Sequence, residues 1–215
     1  MPFANRTDAG RRLAAMLTGY RGKDTVVLAL PRGGVEVAFP VAQSLGAPLD
    51  LLLVRKIGVP QQPELAMGAI IDGTSPTIVR NEDVIRLARV SEAKFESVSQ
   101  RELTEIERRR AIYLRGRLPV PVEGRIAIVI DDGIATGATV RAALHGLRNR
   151  NPREIVLAVP VAPAEVLEEL QDEADEVICL EPLSNMGAIS VHYRHFPQLD
   201  DNDVIALLDA PAPPA

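Results

Sequence analysis

Two adjacent aspartates, Asp131 and Asp132, stand between an apolar stretch and a loop of small residues. The apolar stretch, IAIVI at 126–130, predicts a buried strand. The loop, GIATGA at 133–138, is rich in Gly, Ala and Thr and leads into a segment of helical pattern. Carboxylates repel anions, whereas small residues before a helix leave backbone N–H groups open to bind them. A ligand that contacts both must therefore carry an anionic group and a group that carboxylates can bind.

The loop of small residues is suited to a phosphate. Backbone N–H groups at a helix N-terminus lie at the positive end of the helix dipole. The glycines Gly133 and Gly137 match neither the dinucleotide fingerprint nor the Gly-Lys-Ser/Thr ending of a nucleoside-triphosphate loop. The pattern therefore predicts a smaller molecule with a terminal phosphate. The candidate phosphate-binding residues are Ala135, Thr136, Gly137, Ala138 and Thr139.

The two aspartates are suited to hydroxyl groups. Adjacent carboxylates at a strand end can accept both hydrogen bonds of a vicinal diol. A sugar with a terminal phosphate and a cis-diol would satisfy the aspartates and the loop together. One alternative is an N-cap aspartate followed by an ordinary turn. Another is a metal site of paired acids, which would leave the small-residue loop without a role.

The composition of the 215-residue chain suits a single domain with an aliphatic core. Hydrophobic residues make up 47% of the sequence and aromatic residues 3%, as expected where helices cover a parallel sheet. The net charge of -5 argues against a general nucleic-acid-binding protein. Cys179 is the only cysteine, which favours a reducing compartment. With no apolar run near the roughly 20 residues of a membrane span and no secretory signal, we expect a cytoplasmic protein.

Short apolar strands alternate with helical segments along the chain. This order predicts an α/β fold, with a mostly parallel twisted sheet and helices on both faces. Right-handed crossovers then place the loops after the strands along one edge of the sheet, where such folds bind ligands. The predicted strands lie at 26–30, 49–55, 67–72, 77–79, 126–130, 155–161 and 176–180.

One long helix is predicted outside this alternation, from an N-cap at Ser91 to Leu114. Six arginines and three glutamates lie within 101–117. The favoured interpretation is a solvated helix with many ion pairs, among them Glu105 with Arg109. The alternative is that one or two of these arginines reach a phosphate or a partner subunit.

The stretch VIDDGIATGATV at 129–140 resembles the phosphoribosyl-diphosphate (PRPP) signature of the type I phosphoribosyltransferases. The similarity includes the apolar strand, the two acids and the Thr-Gly-x-Thr loop. ALPRGGVEVA at 29–38 is similar to the pyrophosphate loop of that family. VRKIGVP at 54–60 and PELAMGAI at 63–70 resemble a bacterial subgroup. Together the similarity extends over most of residues 6–200.

This resemblance implies a type I phosphoribosyltransferase fold that comprises one domain over 1–215. The expected parts are a core at 20–180, a helical insertion at 81–117 and a small base-selecting hood at 181–200. Residues 209–215, which end in PAPPA, are expected to form a disordered tail.

The same resemblance implies a pentosyltransferase of nucleotide metabolism that uses Mg²⁺. It would transfer the 5-phosphoribosyl group of PRPP to a small-molecule acceptor, a nitrogenous base, and release pyrophosphate. Arg32 and the backbone of Gly33 and Gly34 would hold pyrophosphate, in a loop that often contains a non-proline cis peptide in the family. Arg55 and Lys56 would make further contacts to pyrophosphate or Mg²⁺-PRPP.

The resemblance assigns the remaining roles to residues 129–140. Asp131 and Asp132 would hold the ribose hydroxyls and contact Mg²⁺ weakly, because the ion would be bound mainly through PRPP. One of them would lie near the incoming base as a proton acceptor. Residues 136–139 would hold the 5′-phosphate. The expected catalytic groups are these two aspartates with Arg32 and Lys56.

Two other functions fit the same motifs. One is a regulatory protein of this fold that binds PRPP or nucleotides and acts on nucleic acid; the arginines of 101–117 favour it and the net charge opposes it. The other is a phosphopentose hydrolase. A homodimer is an open option in every case.

The expected hood contains two of the three histidines, His192 and His195. Their spacing suits two metal ligands on a helix face, but the alternation of apolar residues at 189–193 favours a strand. Because no acidic or cysteine ligand accompanies them, metal binding is not the favoured interpretation. Tyr193 and Phe196 are candidates for stacking on a planar base, with ordinary core packing as the alternative.

Overall fold

The computed structural model describes residues 2–73, 76–184 and 187–210. Most of the tail predicted at 209–215 therefore lies outside the described residues. The helices and strands are, in chain order, α1 (Arg6–Met16), β1 (Thr25–Ala29), α2 (Gly33–Leu45), β2 (Leu49–Leu51), β3 (Val54–Val59), β4 (Gln62–Ile71), β5 (Thr77–Arg80), α3 (Glu82–Leu87), α4 (Glu92–Leu114), β6 (Ile126–Ile130), α5 (Ala138–Arg148), β7 (Glu154–Pro163), α6 (Ala164–Leu170), β8 (Glu176–Leu183) and α7 (Asp201–Asp209). Two 3₁₀ helices span Thr18–Tyr20 and Ile189–His192.

The main sheet has five parallel strands in the order β2-β1-β6-β7-β8. All five residues of β1 and all five of β6 are buried, because helices cover both faces of the sheet. Apolar side chains of alternate strand positions belong to two separate core clusters, one on each face. The predicted mostly parallel α/β fold is confirmed.

The strand predicted at 49–55 is wrong in its extent. It is divided into β2, an edge strand of the main sheet, and β3, which belongs to a second sheet of three antiparallel strands in the order β3-β4-β5. Leu52 and Leu53 connect the two strands and are themselves buried. The run LLLV at 51–54, where the chain changes sheet, contains no turn residue, so its local pattern could not reveal the change.

The predicted long helix forms as α4, directly after Ser91. The Ser91 side chain, however, makes no capping hydrogen bond. The predicted pair of Glu105 and Arg109 forms at 2.8 Å. Each of the six arginines of 101–117 lies within 4.0 Å of a carboxylate oxygen, as a helix with many ion pairs requires. Among the described residues, no helix is both long and apolar enough to cross a membrane.

Helices α1 and α2 pack in close contact at Gly10. A Cβ atom at this position would lie 2.3 Å from the carbonyl oxygen of Val37 and 2.5 Å from Cγ of Pro40. Only glycine permits this approach. The contact determines how far the first residues of α1 lie from the loop that precedes α2.

Replacing Gly10 with alanine should lower the free energy of unfolding by about 1–3 kcal/mol, because the added methyl group overlaps the α2 backbone. Urea denaturation of the purified protein measures this change. Gly19→Ala is the matched control, since a Cβ there meets nothing within 4 Å. The control should stay within about 0.5 kcal/mol of the wild type. Equal effects of the two substitutions would contradict the close packing of α1 on α2.

Candidate active site

The loops after β1 and β6 lie side by side at one edge of the main sheet. Ala29 pairs with Ile130 in the parallel ladder, and the N–H of Leu30 donates to the carbonyl of Ile130 at 2.9 Å. The loop that begins at Pro31 therefore starts next to the loop that begins at Asp131. The peptide bond between Pro31 and Arg32 is cis, as the family resemblance implies.

The two predicted glycines lie directly against the aspartates. A Cβ at Gly33 would lie 1.8 Å from Oδ2 of Asp132. A Cβ at Gly34 would lie 2.7 Å from the carbonyl oxygen of Ile130 and 3.0 Å from Cα of Asp131. Glycine is required at both positions, because any side chain would separate the loop from the carboxylates.

The aspartate pair is tied to the backbone and to the C-terminal segment. Oδ1 of Asp131 accepts a hydrogen bond from the N–H of Asp132 at 2.8 Å. The hydroxyl of Tyr193 donates to the carbonyl of Asp132 at 2.5 Å. The Asp131 carboxylate and the Asp132 backbone are thus held in place, and both aspartates are only partly exposed.

A buried arginine from α1 completes this arrangement, although no motif in the sequence predicts it. Arg6 donates from Nε to Oδ2 of Asp132 at 2.7 Å and from a terminal nitrogen to the carbonyl of Pro197 at 2.8 Å. Its guanidinium lies 3.6 Å from the ring centroid of Phe196. The available signal was a cation in the first turn of a helix, where the helix dipole disfavours it unless another group compensates.

Burial and mutual repulsion govern the protonation of the pair. Burial raises the pKa of Asp131 well above 3.8, and the neighbouring Asp132 raises it further. Burial also raises the pKa of Asp132, while the hydrogen bond and charge of Arg6 oppose that rise. Asp131 is therefore the carboxyl that most needs donors or a cation from a ligand to become ionised.

The predicted phosphate loop lies at the N-terminus of α5. Gly137 is its N-cap residue, with a φ of 73° that favours glycine. Thr136, Ala138 and Thr139 line one wall of a cavity of about 610 Å³, and the β3-β4-β5 sheet provides the other wall. Ala135 is exposed beside them. Residues at this helix end thus border an open space large enough for a ligand.

Arg55 and Lys56 lie on opposite faces of β3, as the twofold period of a strand requires. Lys56 lines the 610 Å³ cavity and donates to Oε2 of Glu64 at 3.0 Å. Arg55 lines a smaller cavity of about 60 Å³ that also contacts Asp131. The two predicted residues therefore line different cavities, although Thr139 lines both.

Arg32 lies half-exposed at a third cavity, of about 280 Å³. Arg6, Gly33 and the segment 196–199 line this cavity with it. A guanidinium nitrogen of Arg32 lies 3.9 Å from Oδ1 of Asp201. The end of the expected hood thus lies against the predicted pyrophosphate loop.

Residues 189–192 form a 3₁₀ helix, and neither the predicted strand nor an α-helix forms there. Tyr193 is buried, and its ring packs 5.4 Å from that of Phe3 and 4.8 Å from that of Phe196. Core packing, the alternative proposed for Tyr193, is what the structure has. Within 2–73, 76–184 and 187–210, no group of three or more His, Cys, Asp or Glu side chains could hold a metal ion.

Comparison with known proteins gives consistent matches. A family model for the phosphoribosyl transferase domain matches residues 4–195. Two curated proteins of Mycobacterium tuberculosis, each named "Putative phosphoribosyl transferase", are 48% identical over 207 residues. The match covers 96% of this chain and 46% of theirs, so the chain spans about half their length. The crystal structure of TT1426 from Thermus thermophilus has a TM-score of 0.85 and 39% identity, and the match covers 97% of this chain and 98% of that one.

Replacing Asp131 with asparagine should raise the melting temperature at pH 7. The folded protein binds the Asp131 proton more tightly than the unfolded chain does, so ionisation above pH 3.8 costs stability. That cost grows as the pH rises from 3.8 to the folded pKa, and asparagine does not incur it. Thermal denaturation between pH 4 and pH 8 measures the difference, which should shrink towards pH 4.

Asp172→Asn, at an exposed position, is the matched control and should leave the melting temperature unchanged at each pH. A lower melting temperature for Asp131→Asn at pH 7 would show that ionised Asp131 is not destabilising.

Proposed function

This chain belongs to the phosphoribosyl transferase family, and on that basis we propose that it binds Mg²⁺-PRPP and transfers its 5-phosphoribosyl group to a nitrogenous base, releasing pyrophosphate. The observation that carries the proposal is the contact of Gly33 and Gly34 with the aspartate pair. This contact supports the proposal because it brings the glycine loop at the start of α2 directly beside acceptors for hydroxyl groups.

Each part of PRPP has matching groups at the sheet edge. The carboxylates of Asp131 and Asp132 accept hydrogen bonds from the 2- and 3-hydroxyls of the ribose. Residues 135–139, at the N-terminus of α5, hold the 5-phosphate through backbone N–H groups and two hydroxyls. Arg32 and the backbone of residues 33–34 hold the diphosphate.

The aspartate pair also fits a magnesium ion. Proteins bind Mg²⁺ through one or two carboxylates together with substrate phosphates, and an all-protein cage is unusual. Asp131 and Asp132 supply that number of carboxylates, and the described residues contain no larger acidic or histidine group. When bound with PRPP, the ion neutralises negative charge on the diphosphate.

The transfer step needs stabilisation at both ends of the breaking bond. The bond from C1 to the diphosphate oxygen breaks, and its electron pair leaves with the diphosphate. Arg32 stabilises that charge, with Arg55 and Lys56 as further cations in the adjoining cavities. The lone pair of the acceptor nitrogen forms the new bond to C1, and a carboxylate of the pair accepts the nitrogen's proton.

We assign the whole chain to a single domain, in which residues 181–200 form the hood and residues 81–117 the helical insertion. The position of 196–199 beside Gly33 supports the hood assignment. Cytoplasmic location and assembly as a homodimer remain part of the proposal.

Incubation with Mg²⁺-PRPP and a panel of purines, pyrimidines and small amines tests the activity. We expect at least one acceptor to release pyrophosphate above the rate without acceptor. If no acceptor raises the rate of pyrophosphate release above this background, the transferase function is contradicted. Pyrophosphate release by water alone would instead indicate a hydrolase.

Asp131→Asn should weaken PRPP binding about 10- to 100-fold, because it removes charge-assisted hydrogen bonds to a ribose hydroxyl. Isothermal titration calorimetry with Mg²⁺-PRPP measures the affinity, and Asp172→Asn again provides the control. Unchanged affinity in the Asp131 variant would refute the assignment of the diol.

A further inference from the structure

The inner face of α4 contains two charged residues where apolar ones are expected. Six positions spaced alternately by four and three residues form a stripe towards the rest of the protein. Its apolar members and its serine are buried. A charge on such a stripe costs free energy unless it is paired or has a ligand. The stripe consists of Phe95, Ser99, Glu102, Ile106, Arg109 and Tyr113.

Arg109 extends from this stripe to the candidate active site. It lines the 60 Å³ cavity together with Asp131 and Thr139. Ile106, one helical turn earlier, is fully buried and lines the same cavity, so it anchors the helix at this point. Pro31, Arg55 and four apolar residues also line it. Two arginines thus line one cavity together with an aspartate assigned to the sugar.

The other arginines of the segment 101–117 are directed elsewhere. Arg110 donates to the carbonyl of Gly73 at 2.9 Å. Arg115 and Arg117 pair with Asp209 near the C-terminal end of α7. Arg101 and Arg108 have mostly exposed side chains. Of the six, Arg109 is the one that lines this cavity among the described residues.

Each arginine of the cavity shares a glutamate with an exposed arginine. Glu105 accepts hydrogen bonds from Arg109 at 2.8 Å and from Arg108 at 2.7 Å, and the two hold its pKa at about 2. Glu102 likewise binds Arg55 at 2.9 Å and also accepts from an exposed arginine, Arg101. If the inner arginine turns to an anion, the outer arginine still compensates the glutamate. The exchange therefore leaves no unpaired carboxylate.

We propose that Arg109 is a substrate-binding residue that, together with Arg55, binds the diphosphate of the sugar substrate; this inference rests on the proposed function. Pro31, which adjoins the predicted pyrophosphate loop, lines the cavity of these two arginines, and for this reason we assign them the diphosphate. A cavity of 60 Å³ holds about two water molecules. The arginines must therefore turn from their glutamates to admit a phosphate, which the paired arrangement allows.

Calorimetric titrations of the full chain with Mg²⁺-PRPP, Mg²⁺-pyrophosphate and ribose 5-phosphate test this assignment. Arg109→Ala should weaken binding of PRPP and of pyrophosphate about tenfold or more, because a charge-assisted contact is lost. The affinity of this variant for ribose 5-phosphate should stay within about twofold of that of the wild type, since the loop at the start of α5 is unchanged. Arg109→Lys keeps the positive charge but loses the planar guanidinium, so it should weaken the binding of pyrophosphate about threefold or more.

Arg86→Ala is the matched control, because it removes one exposed, ion-paired arginine from the neighbouring helix α3. It should change no affinity by more than about twofold. The fold of each variant is checked by its melting temperature. If Arg109→Ala does not fold, Arg109→Lys alone tests the proposal, through the ratio of its affinities for pyrophosphate and ribose 5-phosphate. This ratio should fall relative to that of the wild type.

Wild-type binding of PRPP with no loss in either Arg109 variant would overturn this inference and leave the proposed function intact. Equal loss of ribose 5-phosphate and pyrophosphate binding would also overturn it, because Arg109 would then act at the wrong end of the ligand. A wild-type protein that binds neither PRPP nor pyrophosphate would overturn both proposals.

Discussion

The close approach of two backbones, at residues 33–34 and at residues 131–132, determines the rest of the candidate site. Parallel pairing of β1 with β6 brings both strand ends to the same level. The absence of side chains at Gly33 and Gly34 then lets one loop lie against the carboxylates that end the other strand. Asp131 lines the cavity of Arg55, and Gly33 lines the cavity of Arg32. A shift in the register of these strands would therefore separate the aspartates from the loop that contains Gly33.

Concentrating two carboxylates at this junction creates a charge that distant parts of the chain must balance. Arg6, near the beginning of the described chain, provides the nearest cation, and Pro197 and Phe196 hold its guanidinium from near the end. A bridge between Phe3 and Tyr193 joins the same two segments. The N- and C-terminal segments therefore close over one face of the site. Compensation of Asp132 is partial, and Asp131 keeps a raised pKa, as expected where function and stability compete.

The cations that we propose for the phosphates come mainly from outside the parallel sheet. Strand β3 directs Arg55 and Lys56 to different cavities, and α4 adds Arg109 to the cavity of Arg55. Glutamates on α4 hold these arginines in place before any ligand arrives. Under the proposed function, the core of alternating strands and helices would provide the contacts to sugar and 5-phosphate, while the added sheet and helix would provide cationic side chains for the diphosphate.

The sequence by itself determined the α/β fold and the places of the aspartate pair and of the small-residue loop before α5, because each depends on a short, continuous pattern: an apolar run, two acids after a strand, small residues before a helix. The glycines at 33–34 followed from the resemblance to a family motif, which is also a continuous stretch. The helix α4 and its pair of Glu105 and Arg109 followed from local spacing in the same way. Only the tertiary structure decided the rest. The division of 49–55 between two sheets, the role of Arg6, the burial of Tyr193 and the separation of Arg55 from Lys56 depend on contacts between residues far apart in the chain, which no local pattern contains.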